Sequence, residues 1–328
     1  MSTLKVIKQS MKLALFTLLC TLFSFVMLNN VALAEPYKIG VASWSGYPAS
    51  LEGFKAGLLE SGLELDKDYV LIEGAVGADK TLQKKVAQQF KQQNLDLVYS
   101  LTTPGTVIMK ETLPTDLPIV FSIVTYPADS GLIESFEYSG NNLVGTSNYV
   151  PIKNYLNLLN MLVPDIKQVA IFHRKGEPNS QLQAANLYRL FKKNKIKTQV
   201  LQVTSLDNLK EVALTANVQL FVTTTDTLMQ NGGEDVLIQI AQQKSIPILS
   251  SNKLGIESGS TFGPVSDFYT LGKMSGKKAA KILIENIRPT LIESEVQDPS
   301  IYLINKQKAR DLNILIPENL ENSFMFVD

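Results

Sequence analysis

The side chains able to do covalent chemistry are few. Histidine occurs once, at His173, and cysteine once, at Cys20. A Ser-x-x-Lys spacing, which sets a lysine beside a nucleophilic serine in some acyl-transfer enzymes, occurs after residue 34 at Ser250–Lys253 and Ser275–Lys278. Neither is accompanied by the S-D-N or K-T-G elements of such sites. No G-x-x-x-x-G-K-[ST], H-E-x-x-H or G-x-S-x-G pattern is present, and no G-x-G-x-x-G follows a strand. His173, at the end of an apolar strand, reads more simply as a strand-end residue facing solvent or a lobe surface than as a base. With one imidazole, one thiol and no paired-carboxylate motif, neither a catalytic centre nor a metal or other cofactor is expected.

The residue types that recur suit binding. Short runs of hydroxyls, amides and aromatics follow apolar segments: Trp44-Ser45-Gly46-Tyr47-Pro48, Thr102-Thr103-Pro104, Thr125-Tyr126-Pro127, Asn179-Ser180, Thr225-Asp226 and Ser251-Asn252. Asp267 precedes the longest helical pattern and joins this set. Several of these runs stand at helix starts, where unpaired N–H groups and partial positive charge suit a carboxylate. Only four arginines occur, and Arg174 alone lies near such a run, so an anion would be held by amides and hydroxyls. Asp226 can pair with a ligand ammonium or simply cap the next helix, and the sequence leaves both open. Trp44, Tyr47 and Tyr126 can close over an apolar or aromatic group.

The elements that must position these runs alternate. Strands are predicted at Tyr37–Ala42, Tyr69–Ile72, Leu95–Ser100 and Ile119–Ile123, with helices at 49–61 and 79–93 and a helical stretch before the fourth strand. After a break near 146–151 the pattern restarts. Strands at Gln168–Phe172, 198–203, 218–222, 246–249 and Ile301–Ile304 alternate with helices at 151–162, 179–194, 206–214, 229–244 and 268–287. A short helix to about 311 leads into an irregular C-terminus. Strands alternating with amphipathic helices imply parallel sheets covered on both faces. There are too many units for one open sheet, so two α/β lobes are expected, with a (β/α)8 barrel as the alternative. Ligands of open α/β sheets sit beyond the strand C-termini, which is where the polar runs fall.

Composition adds an address. Of the 328 residues, the first 34 carry Lys5, Lys8 and Lys12 and no acid, then an apolar run Leu13–Leu28, then Ala32-Leu33-Ala34. This is the pattern of a secretory signal, with cleavage expected after Ala34 and an uncleaved anchor as the rival. Cys20 falls in the apolar run and lacks the small preceding residue of a lipidated cysteine. Balanced charge (31 Lys+Arg, 31 Asp+Glu) becomes 28 against 31 in the mature chain, which also loses its cysteine. Such a chain lacks the basic footprint of a nucleic-acid binder.

A resemblance is carried by Asp96-Leu97-Val98 with Thr103-Pro104, by Pro118–Phe121 with Val124-Thr125 and Pro127, by Gly131–Ile133 and by Asn142–Ser147. It continues through Glu177 with Asn179-Ser180, Thr225-Asp226, Ile246–Ile248, and Tyr269 with Leu271-Gly272 and Gly276–Ala280. In order and spacing these residues make the chain similar to substrate-binding proteins of ABC importers, in the type 1 group that includes tryptophan- and tyrosine-binding members. The resemblance implies two doubly wound lobes joined by three hinge crossovers, near 146–150, 263–267 and 297–300, with the ligand clamped between. It implies an N-terminal lobe of 35–147 plus 264–297 and a C-terminal lobe of 148–263 plus 298–328. It also implies that Thr103 and Asn179-Ser180 hold a ligand carboxylate while Asp226 takes the ammonium. Tyr126 stands where the family commonly has Asp, His173-Arg174 where a Tyr-Asn pair is usual, and the Trp44–Pro48 turn also departs. The expectation is therefore a monomeric, non-enzymatic periplasmic protein that captures a small ligand, an amino acid or related compound. It would deliver that ligand to a membrane permease/ATPase complex, without nucleic-acid partners. A ligand sensor feeding a membrane receptor and an exported hydrolase are the alternatives.

Overall fold

The computed structural model describes residues 35–328. The apolar leader, its Ala34 cleavage point and Cys20 lie outside the described residues. The chain first runs through β1 (Tyr37–Ala42), α1 (Pro48–Glu60), β2 (Tyr69–Glu73), α2 (Lys80–Lys91), β3 (Leu97–Leu101), α3 (Thr103–Thr112), β4 (Ile119–Ser122) and β5 (Leu143–Ser147). It continues with α4 (Ile152–Leu162), β6 (Gln168–Arg174), α5 (Pro178–Lys193), β7 (Lys197–Val203), α6 (Leu206–Thr215), β8 (Leu220–Thr223), α7 (Glu234–Lys244) and β9 (Ile248–Leu249). Then follow α8 (Lys253–Ser258), β10 (Phe262–Val265), α9 (Phe268–Glu285), β11 (Glu295–Val296), β12 (Ile301–Asn305), α10 (Lys306–Asp311) and β13 (Met325–Val327).

Two separate sheets form, ordered β11-β5-β4-β3-β1-β2 and β13-β12-β10-β9-β8-β6-β7. The first is parallel throughout. The second departs from the expected parallel order at one pair, because β12 returns antiparallel to β10. Two open sheets exclude the barrel. The chain crosses between them three times: after β5, between β10 and β11, and between β11 and β12.

Each sheet is covered on both faces, which is why its central strands are continuous apolar runs such as the fully buried Leu97–Leu101. In the N-terminal lobe, Phe54, Leu58, Ala279 and Leu283 pack with Ile39 and Tyr99 on one face. Val86, Phe90, Ile108 and Met109 pack with Ala42, Val98 and Phe121 on the other. The C-terminal lobe repeats the arrangement, with Leu158, Leu187 and Phe191 on one face and Leu209, Ala213 and Leu237 on the other.

α1 and α9 meet backbone to backbone. Gly53 and Gly57 face Gly272 and Gly276, and a Cβ at any of the four would overlap a carbonyl oxygen of the opposite helix. The spacing of four is visible in the sequence of both helices, but which helix meets which is set by the fold.

Three further differences from the sequence expectation have local causes. The helix expected at 229–244 is interrupted: Met229–Gly233 is a π-turn, with non-helical Asn231 and Gly232, before α7 begins. The Asn-Gly-Gly run has little helix propensity to oppose this break. The fourth strand ends at Ser122, since Ile123 turns into the left-handed region at φ 57°. The irregular C-terminus instead ends in β13, which pairs with β12.

Candidate functional site

The segments that follow the strands of the two sheets meet between the lobes, where Thr125 bonds to Thr225, Tyr47 to Gln230 and Asn231 to Ser45 across the cleft. On the N-terminal wall, four strand-end residues hold a strained backbone. Trp44, Tyr47, Thr102 and Ile123 all have φ between 53° and 70° and are the aromatic or β-branched members of the positive-φ non-glycines. For such residues the left-handed region is unfavourable, and strain of this kind concentrates at ligand sites. Thr102 caps α3 by accepting the Gly105 N–H at 3.4 Å. Thr103 is the first residue of that helix, and its hydroxyl is buried without a protein partner.

The C-terminal wall is a polar network. Asn179, in the first turn of α5, donates from Nδ2 to the Thr225 carbonyl at 2.7 Å, which orients its Oδ1 away as a free acceptor. Gln183, one turn later, accepts both the Thr225 N–H (2.8 Å) and hydroxyl (2.9 Å) on Oε1. Its Nε2 donates to the Tyr155 hydroxyl (2.9 Å) and to Ser251 Oγ (3.0 Å). Thr225 thus spends its one proton on Gln183, so the 3.0 Å contact between Thr125 and Thr225 is donated by Thr125. That bond joins one wall to the other.

Asp226 is 1% exposed and caps the turn after β8. Its Oδ1 accepts the Met229 N–H at 2.8 Å, and Oδ2 accepts the Arg174 N–H and the Thr224 hydroxyl, both at 3.0 Å. Burial, with the Glu177 charge nearby, pushes its carboxyl up to about 7. Glu177 is itself buried, pairs with Arg174 at 2.9 Å and accepts from Thr227. The Arg174 guanidinium directs its Nη1 at both Glu177 and Thr227.

The remaining expected residues divide. Trp44 packs into the N-terminal lobe core, leaving its buried indole N–H without a partner. Tyr126 is buried edge-on to Tyr149, with ring centroids 5.4 Å apart. Tyr47 lies edge-on to Phe268 at 5.8 Å and donates its hydroxyl to Gln230 across the cleft at 2.6 Å. Ser45 likewise accepts from Asn231 at 3.1 Å. Asn252 leads into α8 with its Oδ1 buried and unpartnered. The Ser180 hydroxyl turns back to the Arg174 and Glu177 carbonyls, so its side chain serves the helix start. Asp267 caps α9 at Thr270 (2.9 Å) and pairs with Lys253 of the other lobe at 2.5 Å. His173, expected to face solvent or a lobe surface, is buried, and burial lowers its pKa, so the imidazole is held neutral.

Sequence reasoning missed Gln183, Asn148, Gln230 and Asn231. Gln183 had a signal, lying four residues after Asn179 on the same helix face. Asn148 directly follows β5, and its buried Oδ1 lacks a partner. Among the described residues, five of the eight buried side-chain atoms without a hydrogen-bond partner are those of Trp44, Thr103, Asn148, Asn179 and Asn252. Leaving such a group unpaired costs about 1–3 kcal/mol, and these five stand at strand ends, helix starts and a crossover. Among the described residues, no group of three His, Cys, Asp or Glu could hold a metal ion, and no helix is long and apolar enough to cross a membrane.

The profile of the family described as ABC transporter substrate binding protein matches residues 39–325. The chain belongs to this family. A tyrosine-binding protein of Clostridioides difficile (strain R20291) is 26% identical over 291 residues, covering 86% of this chain and 83% of the relative. The fold matches that of an ABC domain in complex with L-Trp from Streptococcus pneumonia, with TM-score 0.83 and 23% identity, over 90% of this chain and 100% of the other. It also matches a ligand-free, open substrate binding protein with adhesive properties from Clostridium difficile, with TM-score 0.70 and 22% identity, over 89% and 99% of the two chains. This family supplies the type 1 two-lobed architecture to which the substrate-binding protein described above conforms.

Proposed function

We propose that this substrate-binding protein is exported to the periplasm, clamps a free amino acid or a close analogue between its lobes, and presents it to the membrane permease and ATPase of an importer. The observation carrying this reading is the set of buried, unpartnered polar atoms drawn from both walls, Thr103 and Trp44 from one and Asn179 and Asn252 from the other. A zwitterion fits their chemistry. The hydroxyl of Thr103 and the first-turn amides of α3 and α5 suit its carboxylate, and Asn179 Oδ1 beside Asp226 suits its ammonium. Asp226 has about four acceptor positions on its two oxygens, and three are filled by the protein, leaving one. No bond needs to be broken in the ligand. The one histidine is buried with Nδ1 unpartnered.

Calorimetry and thermal shift of the mature chain against the twenty amino acids, small peptides, nucleosides and sugars test this. Amino acids should raise the melting temperature, by RT ln(1 + [L]/Kd) in stability. A shift given by sugars alone would overturn the reading. Asp226→Ala should weaken amino-acid binding by about 1–3 kcal/mol.

A further inference from the structure

We infer that Ser45 and Tyr47 act less as ligand contacts than as half of a closure latch, whose other half is the π-turn Met229–Gly233. The Tyr47 hydroxyl donates to Gln230 Oε1 at 2.6 Å, and Asn231 Nδ2 donates to Ser45 Oγ at 3.1 Å. These partners are 183 and 186 residues apart and belong to opposite lobes. Neither bond stabilises a lobe by itself. Both form only when the lobes meet, so their whole free energy favours the closed state.

Both halves are built for the purpose. Tyr47 is held at φ 56°, ψ 57° as the residue before α1, with Pro48 fixing the helix start and Phe268 supporting the ring. On the other side the helix is broken at Asn231 (φ −115°, ψ 57°) and Gly232 (φ 95°). The break lets Asn231 Nδ2 reach both the Thr227 carbonyl (2.6 Å) and Ser45. π-turns inserted in helices recur at functional sites for this reason. The base of the turn is tied to Asp226, whose carboxylate accepts the Met229 N–H and whose carbonyl accepts the Gln230 N–H at 3.1 Å. A ligand engaging Asp226 would therefore order the latch as it binds.

The latch rests on closure of the two lobes and not on the identity of the ligand, so its test separates from that of the proposed function. Surface plasmon resonance with L-tryptophan and L-tyrosine reads it where either binds. The double variant Gln230→Ala with Asn231→Ala should raise the dissociation rate about tenfold and leave the association rate within about twofold, since two hydrogen bonds are lost after encounter. Tyr47→Phe keeps the ring against Phe268 and should raise dissociation about threefold, which covers the case of a double variant that fails to fold. An unchanged dissociation rate, or a loss confined to association, overturns the latch. If neither amino acid binds the wild-type protein, the compound of the thermal-shift screen that does bind takes their place. If that compound is not an amino acid or a close analogue, the functional proposal is what fails, and small-angle scattering of the ligand-saturated proteins still decides the latch. A larger radius of gyration in the variant supports it, and superimposable profiles overturn it.

Discussion

Asp226 carries the clearest consequence at the scale of one residue. Its carboxyl is raised to about 7 because the fold buries it near Glu177. An ammonium ligand favours the ionised form, so binding releases a proton wherever Asp226 was neutral. Affinity should therefore fall below neutral pH, by about fivefold from pH 7 to pH 6, and the dependence should vanish in Asp226→Asn. Titration calorimetry at the two pH values checks this, and a flat profile would count against the ammonium assignment. The same shift has a stability sign. The unfolded carboxyl ionises near pH 4 while the folded one keeps its proton to about 7, so the stability present at low pH is lost across that interval. Gln183 supplies the second residue-scale prediction. Gln183→Leu strips the acceptor from a buried Thr225 N–H and the donor from Tyr155, and should cost about 2–4 kcal/mol in urea unfolding. A loss below about 0.5 kcal/mol would mean that the network does not hold Thr225 in place.

The pairing of α1 with α9 is decided at the scale of elements. Helix propensity alone says that Gly276→Ala should stabilise the protein by up to about 1 kcal/mol. The packing says the opposite, because a Cβ at Gly276 overlaps the Phe54 carbonyl and sits against Gly57. Backbone cannot yield as a side-chain tip can, so overpacking dominates, and Gly276→Ala should lower the melting temperature by several degrees. A raised melting temperature would show that the helices can move apart freely. The element pattern itself was legible where burial is periodic. Leu97–Leu101 is a buried strand by its composition, and the stripe Val86 and Phe90 announces α2. It was not legible for β11, which is two residues long, or for β13, whose pairing with β12 is what makes it a strand.

For the whole molecule, the cleft and the crossovers act together. Lys253 of the C-terminal lobe pairs with Asp267, the residue that opens α9 in the other lobe. Although burial alone would raise it, the Lys253 ammonium and the Thr270 N–H hold the Asp267 carboxyl below its ordinary range. Ligand binding should close the lobes and reduce the radius of gyration, which scattering with and without saturating amino acid will read. An unchanged radius on saturation would remove lobe closure from the mechanism.

The alternation of buried strands and striped helices, the polar runs after the strands and the basic-then-apolar first 34 residues were all in the sequence, because each is a local pattern among neighbouring residues. What Asp226 is bonded to, that Thr125 donates to Thr225 exactly one hundred positions away, and that Tyr47 meets Gln230 were decided only by the tertiary structure. Hydrogen bonds between distant residues leave no periodic trace in a chain. Their partners are selected by where two sheets place their strand ends.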